Sequence, residues 1–283
     1  MRKPFLKNTE NLVVKVGTSV LTKQGSFDPL MIGRLASQIA VYLKKGVRVS
    51  IVSSGAIGAG MTLLKMKKRP RTMEGLQAAA AVGQRYLMQC YEEAFSSAGF
   101  STAQVLLTWE DLAQTTRFLN AKRTLKEIQK WGLVPVINEN DTVATDEIRF
   151  GDNDRLSALL SVLVEADLLI ILSDTNGLYE NGRHGHDKHR LRQVPRVDAS
   201  VFSHAKDKKN AMTIGGMRSK LKAVEISVSS GIPVVLADGR MKNVLPLIFE
   251  GEDVGTLFLP HKAKRGARKH WTAHLIRHLN RTR

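Results

Sequence analysis

The sequence predicts an α/β fold built on a mainly parallel sheet with helices on both faces. Its strand candidates are continuous, β-branched apolar runs rather than alternating ones, as expected where both faces of a sheet are covered. These runs alternate along the chain with longer segments of helical period. A chain of 283 residues, 43% of them apolar, is long enough for one large α/β domain or two small ones with a substantial core.

Taken in order, "NLVVKVGTS" reads as a first strand and Asp28 to Lys45 as a helix opened by Asp-Pro. "VRVSIVSSG" reads as a second strand, and Glu74 to Ser97 as a long, Ala-rich helix. The strand "STAQVLLT", a helix from about Thr115 to Lys130 and the strand "GLVPVINEN" follow. A helix from about Asn153 to Glu165 leads into the strand "ADLLIILSD". The helix Met217 to Ser230, the strand "IPVVLAD" and a terminal strand near "GTLFLP" complete the pattern. Ligands of such sheets gather at the carboxyl ends of the strands.

Charge is unevenly distributed. The chain carries a formal +17, yet Ile137 to Ala158 packs six of its 26 acidic residues into 22 positions. From His261 onward there are eight Lys or Arg and no Asp or Glu, and "KMKKRPR" (Lys65 to Arg71) adds five more basic residues. Without interleaved aromatic platforms such runs read as solvated surface, so nucleic acid is not an expected partner. The single cysteine, Cys90, can form neither an internal disulfide nor a multi-thiolate metal site and reads as a small buried hydrophobe. No apolar run reaches the roughly 20 residues of a membrane span, and the N-terminus lacks the pattern of a signal peptide. The expected compartment is the cytoplasm.

The unusual residues lie at the strand ends. "KVGTSV", "SSGAIGAG", "NENDTVA" and "SDTNGLY" place polar, mostly Gly-bearing loops at one sheet edge, where backbone N–H groups and helix N-termini can face an anion. The chain has no GxxxxGK[ST] loop, no GxGxxG with its acidic ribose ligand, no HExxH, no kinase HRD or DFG set and no GxSxG. What remains is Lys15 in the first strand, "TIGGMRSK" with Lys220 entering a helix, and the acidic stretch. Two lysines at Gly-rich loops with nearby carboxylates fit phosphoryl transfer better than proton abstraction or hydrolysis.

The ordered set "VVKVGTSVL", "IVSSGAIGAG", "AAVGQ", "RFLNA", "VPVINENDTVA", "FGDNDRLSA", "LLIILSDTNGLY", "GGMRSKLKA" and "GTLFLP" resembles the amino acid kinase superfamily. It is most similar to the gamma-glutamyl kinase (glutamate 5-kinase) family within it, for which "INEND" followed by "GDND" is the specific mark. The resemblance runs from about Leu12 to about Trp271. It implies a three-layer αβα sandwich, ATP with Mg²⁺, and transfer of the γ-phosphate to the side-chain carboxylate of L-glutamate, a step towards proline.

On matching positions the resemblance implies that Lys15, Lys220 and Asp154 are catalytic. Ser54, Asp141 and Asn153 would bind glutamate. Lys15, Ser173, Asp174 and the run Ile214, Gly215, Gly216, Met217, Arg218, Ser219, Lys220 would hold ATP, and no residue is assigned as a metal ligand. A buried strand lysine that snorkels and a helix cap at Asn153 or Asp152 are the plainer readings. Two positions depart from the family: Ile214 replaces the usual Thr, and Arg218 stands where a small Ser or Thr is common. Also implied are a homo-oligomer, proline as feedback inhibitor and glutamate-5-semialdehyde dehydrogenase as pathway partner. Residues 1–260 would form the kinase domain and 261–283 a basic tail in place of the PUA domain that many relatives carry. A related kinase with another carboxylate, carbamate or nucleotide acceptor, and a noncatalytic nucleotide sensor or polyanion-binding protein, remain as alternatives.

Overall fold

The computed structural model of the protein describes residues 2–144, 153–180, 189–205 and 216–261. Its strands are β1 (Asn11–Val16), β2 (Thr22–Lys23), β3 (Ser26–Phe27), β4 (Arg48–Ser53), β5 (Thr102–Leu107), β6 (Val134–Glu139), β7 (Leu168–Ser173), β8 (Gln193–Val194), β9 (Val234–Asp238) and β10 (Thr256–Phe258). Its helices are α1 (Pro29–Leu43), α2 (Ala56–Leu63), α3 (Met73–Ser96), α4 (Trp109–Ala113), α5 (Thr115–Lys130), α6 (Asn153–Leu163), α7 (Ala199–Ser203), α8 (Met217–Ser229) and α9 (Val244–Glu250). Eight of these strands form one sheet in the order β5-β6-β4-β1-β7-β9-β10-β8. Its described pairings are parallel except β9 with β10. The expected α/β class with a mainly parallel sheet is what forms.

The strand period of two sorts side chains between two apolar layers. Leu12, Val14 and Val16 of β1, with Leu168 and Ile170 of β7, pack with Leu35 and Ile39 of α1 and Leu87 and Tyr91 of α3. Val13, Leu169 and Ile171 face the opposite layer, with Leu159 and Leu163 of α6 and Leu221 and Val224 of α8. Lys15 pairs in register with Val52 and Ile171, so alternation sends it into the second layer, where α6 and α8 lie against each other. A lysine in a strand that is buried along its whole length is thereby delivered to two helix N-termini.

Local chemistry explains the helix starts. Asp28 caps α1, accepting from Leu30 N–H with Pro29 in the first turn, and Thr72 caps α3 by accepting from Gly75 N–H. Cys90 is buried in the first layer, as its sequence context suggests.

The second Gly-rich segment departs from the expected anion loop. After Ser54 and Gly55, whose φ of 102° is left-handed, the chain enters α2. A Cβ at Gly60 would stand 1.8 Å from Ala79 O, and one at Gly83 would stand 1.8 Å from Ala56 O. These two glycines therefore let the backbones of α2 and α3 touch. They are packing glycines, and only Gly55 remains at the strand end.

Candidate active site

Parallel strands put the ends of β1, β4, β6 and β7 on one edge, and the polar residues sort there into three groups. The first is ionic. Asp154, in the first turn of α6, is fully buried; Lys15 and Lys220 are 5% and 7% exposed. Lys15 Nζ forms an ion pair with Asp154 Oδ1 at 2.7 Å, and Lys220 Nζ donates to Asp154 Oδ2 at 3.3 Å. Burial alone would raise the Asp154 pKa, but the two ammonium charges outweigh it and hold the carboxyl below its usual 3.8. One carboxylate between two ammonium groups leaves the trio with a formal +1. Gly17 keeps the space beside it open, since a Cβ there would stand 3.1 Å from Leu172 O and 3.5 Å from Lys15 Nζ.

The second group is a buried amide network. Asn153 Nδ2 donates to Asn138 Oδ1 (2.9 Å), Ser54 Oγ (3.0 Å) and Ser53 O (3.3 Å). Asn138 Nδ2 in turn donates to Gln84 Oε1 at 2.8 Å, and Tyr91 Oη donates to Ser53 Oγ at 3.0 Å. An N-cap uses its side-chain oxygen to accept from helix N–H groups. Asn153 instead uses its NH₂ to tie α6 to β4 and β6, so the cap reading does not describe it.

The third group lies at β7 and α8. Ser173 Oγ donates to Asp174 Oδ1 at 3.1 Å. Burial pushes the Asp174 pKa up, while hydrogen bonds from its own backbone and from Ser173, with the charges of Lys220 and Arg240, bring it below the usual value. Gly216 occupies the N-cap of α8 without a side-chain cap, and Met217, Arg218 and Ser219 form the first turn ahead of Lys220. Free backbone N–H groups of such a turn suit a phosphate.

The candidates read from the sequence therefore come together in sets. Lys15, Asp154 and Lys220 meet; Ser54 and Asn153 meet; Ser173 and Asp174 meet. Asp141 lies in the turn after β6, within reach of the charge of Arg69 from the basic run, which is otherwise solvent-exposed as expected. Ile214 and Gly215, the acidic residues among 145–152 and the tail 262–283 lie outside the described residues. Sequence reasoning gave no role to Gln84, Ser53, Tyr91 or Arg240. Arg240 clasps the β1 loop by donating to Ser19 O from Nη2 at 2.6 Å. Gln84 closes the motif "AAVGQ", but a single amide on a long helix carries no signal of its own.

A model of the amino acid kinase family matches residues 10–238. The chain is 46% identical over 279 residues to the glutamate 5-kinase of Citrifermentans bemidjiense, spanning 98% of this chain and 75% of that protein. It is 45% identical over 280 residues to the glutamate 5-kinase of Geobacter sulfurreducens, with the same two coverages. In three dimensions it resembles the crystal structure of UMP kinase from Bacillus anthracis, with a TM-score of 0.58 at 14% identity over 89% of this chain and 96% of that one. That last likeness speaks for the fold.

Proposed function

Since the chain belongs to the amino acid kinase family and, within it, to the glutamate 5-kinases, we propose that its Lys15–Asp154–Lys220 cluster drives transfer of the γ-phosphoryl group of ATP to the γ-carboxylate of L-glutamate. A carboxylate oxygen of glutamate attacks the γ-phosphorus, the bond to the β,γ-bridging oxygen breaks, and ADP leaves with the electron pair. No general base is required, because a glutamate side-chain carboxyl, which titrates near about 4.3 in water, is already ionised at neutral pH. Catalysis then rests on position and charge.

The observation that carries this reading is the buried trio. Asp154 fixes two ammonium groups that would otherwise repel, and the surplus positive charge suits phosphoryl oxygens, which spread negative charge in a loose transition state. Ser173, Asp174 and the α8 N-terminus with Met217, Arg218 and Ser219 form the nucleotide side. Gly216, and Ile214 and Gly215 by the family pattern, belong to the same side. Ser54, Asp141 and Asn153 form the glutamate side, where Asp141 accepts the α-ammonium.

Magnesium fits as part of MgATP. Among the described residues no group of three His, Cys, Asp or Glu could hold a metal ion, and both Asp154 oxygens face lysines. Mg²⁺ commonly relies on substrate phosphates and water with one or two carboxylates, and Asp174 is a described carboxylate on the nucleotide side. When bound, the ion neutralises phosphate charge.

The family resemblance also supports a cytoplasmic homo-oligomer that responds to proline and passes its product to glutamate-5-semialdehyde dehydrogenase, with residues 1–260 as the catalytic domain. Among the described residues, no helix is long and apolar enough to cross a membrane. The test of the reaction is incubation with MgATP, glutamate and hydroxylamine. Formation of γ-glutamyl hydroxamate is expected; its absence from folded protein would refute the assignment, and hydroxamate from another acceptor would replace glutamate.

A further inference from the structure

The amide network has a direction, and it is set by backbone groups whose donor and acceptor roles are fixed. The N–H of Glu139 donates to Asn138 Oδ1 at 2.9 Å, so that atom is the oxygen and Asn138 Nδ2 is the donor that faces Gln84. Gln84 must then present Oε1 to Asn138, which leaves Nε2 as its other arm. At the opposite end, the carbonyl of Ser53 can only accept, so the Asn153 atom that faces it at 3.3 Å is Nδ2. Asn153 Oδ1 is thereby the arm left over.

Both remaining arms are buried and, among the described residues, meet no protein partner: Gln84 Nε2 is a donor without an acceptor, and Asn153 Oδ1 is an acceptor without a donor. Gln84 itself is 9% exposed. Buried polar groups are paired in folded proteins with few exceptions, and a site built to hydrogen-bond a substrate leaves its polar groups unpaired until the substrate binds. One donor and one acceptor on a rigid network match a zwitterion, whose carboxylate accepts and whose ammonium donates.

We propose that Gln84 Nε2 is a specificity contact for the α-carboxylate of the amino acid acceptor. The proposal rests on the glutamate reading above. The γ-carboxylate is the nucleophile and is directed to the lysines, so the α-carboxylate is the group left for the amide donor of Gln84. Asn153 Oδ1 faces the α-ammonium alongside Asp141. Gln84 thus belongs to substrate selection although it sits in the middle of α3 rather than in a strand-end loop.

Gln84→Glu tests this, because it keeps an oxygen for Asn138 Nδ2 and the length of the side chain while replacing the free donor with an oxygen. Gln84→Met repeats the comparison without a buried charge. Each is assayed with glutamate and with its α-carboxamide analogue, isoglutamine, alongside MgATP KM and a thermal melt. In wild type, glutamate is expected to be preferred strongly. In both variants the glutamate KM should rise about thirtyfold or more, and the preference over isoglutamine should fall at least about tenfold, with MgATP KM held within about threefold. A glutamate KM within about threefold of wild type in either folded variant, or equal losses for both acceptors, would overturn the contact. A wild-type protein that turns over neither acceptor would instead remove the glutamate reading on which the contact rests.

Discussion

Lys15 and Asp154 meet at 2.7 Å in the buried interior, one from near the carboxyl end of a central strand and the other from the first turn of a helix on the adjoining layer. Two buried charges cost several kcal/mol each to desolvate, so a contact of this kind is weak evidence for stability by itself. The addition of Lys220 at 3.3 Å makes the set unbalanced in charge, which serves an anionic transition state and does little for the fold.

Removing either lysine should therefore be read in turnover. Lys15→Ala and Lys220→Ala are each expected to lower kcat by about two decades or more, the equivalent of ~3 kcal/mol of lost charge stabilisation. Steady-state kinetics with saturating MgATP and glutamate checks this. Near-normal kcat in both would take the lysines out of the mechanism.

Asp154→Asn keeps the shape but leaves two ammonium groups facing each other, and is expected to cost about 3 kcal/mol of stability at neutral pH. Because the Asp154 pKa is held below 3.8 in the folded protein, its contribution is complete above the unfolded value and is lost as pH falls through the folded one. The melting gap between wild type and Asp154→Asn should stay constant from about pH 8 to 5 and narrow at the acid end, below about pH 4. A gap that widened with acid would contradict the sign of this coupling.

Much of this site was legible before the structure. A lone lysine in the apolar run "NLVVKV" marks a buried charge that needs a partner, and the helix expected from about Thr115 to Lys130 forms as α5. What was hidden has physical reasons. α2 is eight residues with two glycines in "AIGAGMTL", so composition reads as loop while tertiary packing against α3 makes it a helix. The hairpin β2–β3 has strands of two residues each, too short for any period, with Gln24 and Gly25 at positive φ in its turn. Asn153 looks like a cap because capping and networking use the same side chain. Gln84 acts through partners far away in sequence.

Asp141→Asn removes a charge and keeps the side-chain shape. If Asp141 accepts the α-ammonium, the glutamate KM should rise by about two decades while MgATP KM barely changes. Its neighbourhood to Arg69 gives a control: a role confined to that surface pair would move the melt slightly and leave the glutamate KM alone.

The packing role of the glycines between α2 and α3 is tested by Gly83→Ala. The added Cβ would fall 1.8 Å from Ala56 O and 2.3 Å from Gly60 N, both backbone atoms that cannot swing aside. A loss of about 3 kcal/mol is expected, seen as a lower urea midpoint with the m-value retained. A variant as stable as wild type would mean that the two helices are free to separate.

The most direct test of the central claim follows an oxygen atom. Glutamate labelled with ¹⁸O in its γ-carboxylate is turned over with MgATP in the presence of hydroxylamine, and the released phosphate is weighed by mass spectrometry. Attack by the carboxylate makes a labelled oxygen the bridge to phosphorus, and cleavage of the acyl bond by hydroxylamine releases phosphate carrying one ¹⁸O. Labelled phosphate formed in step with hydroxamate, and lost in Lys220→Ala, is the predicted result. Unlabelled phosphate would mean that water and not glutamate takes the phosphoryl group, and would contradict the account.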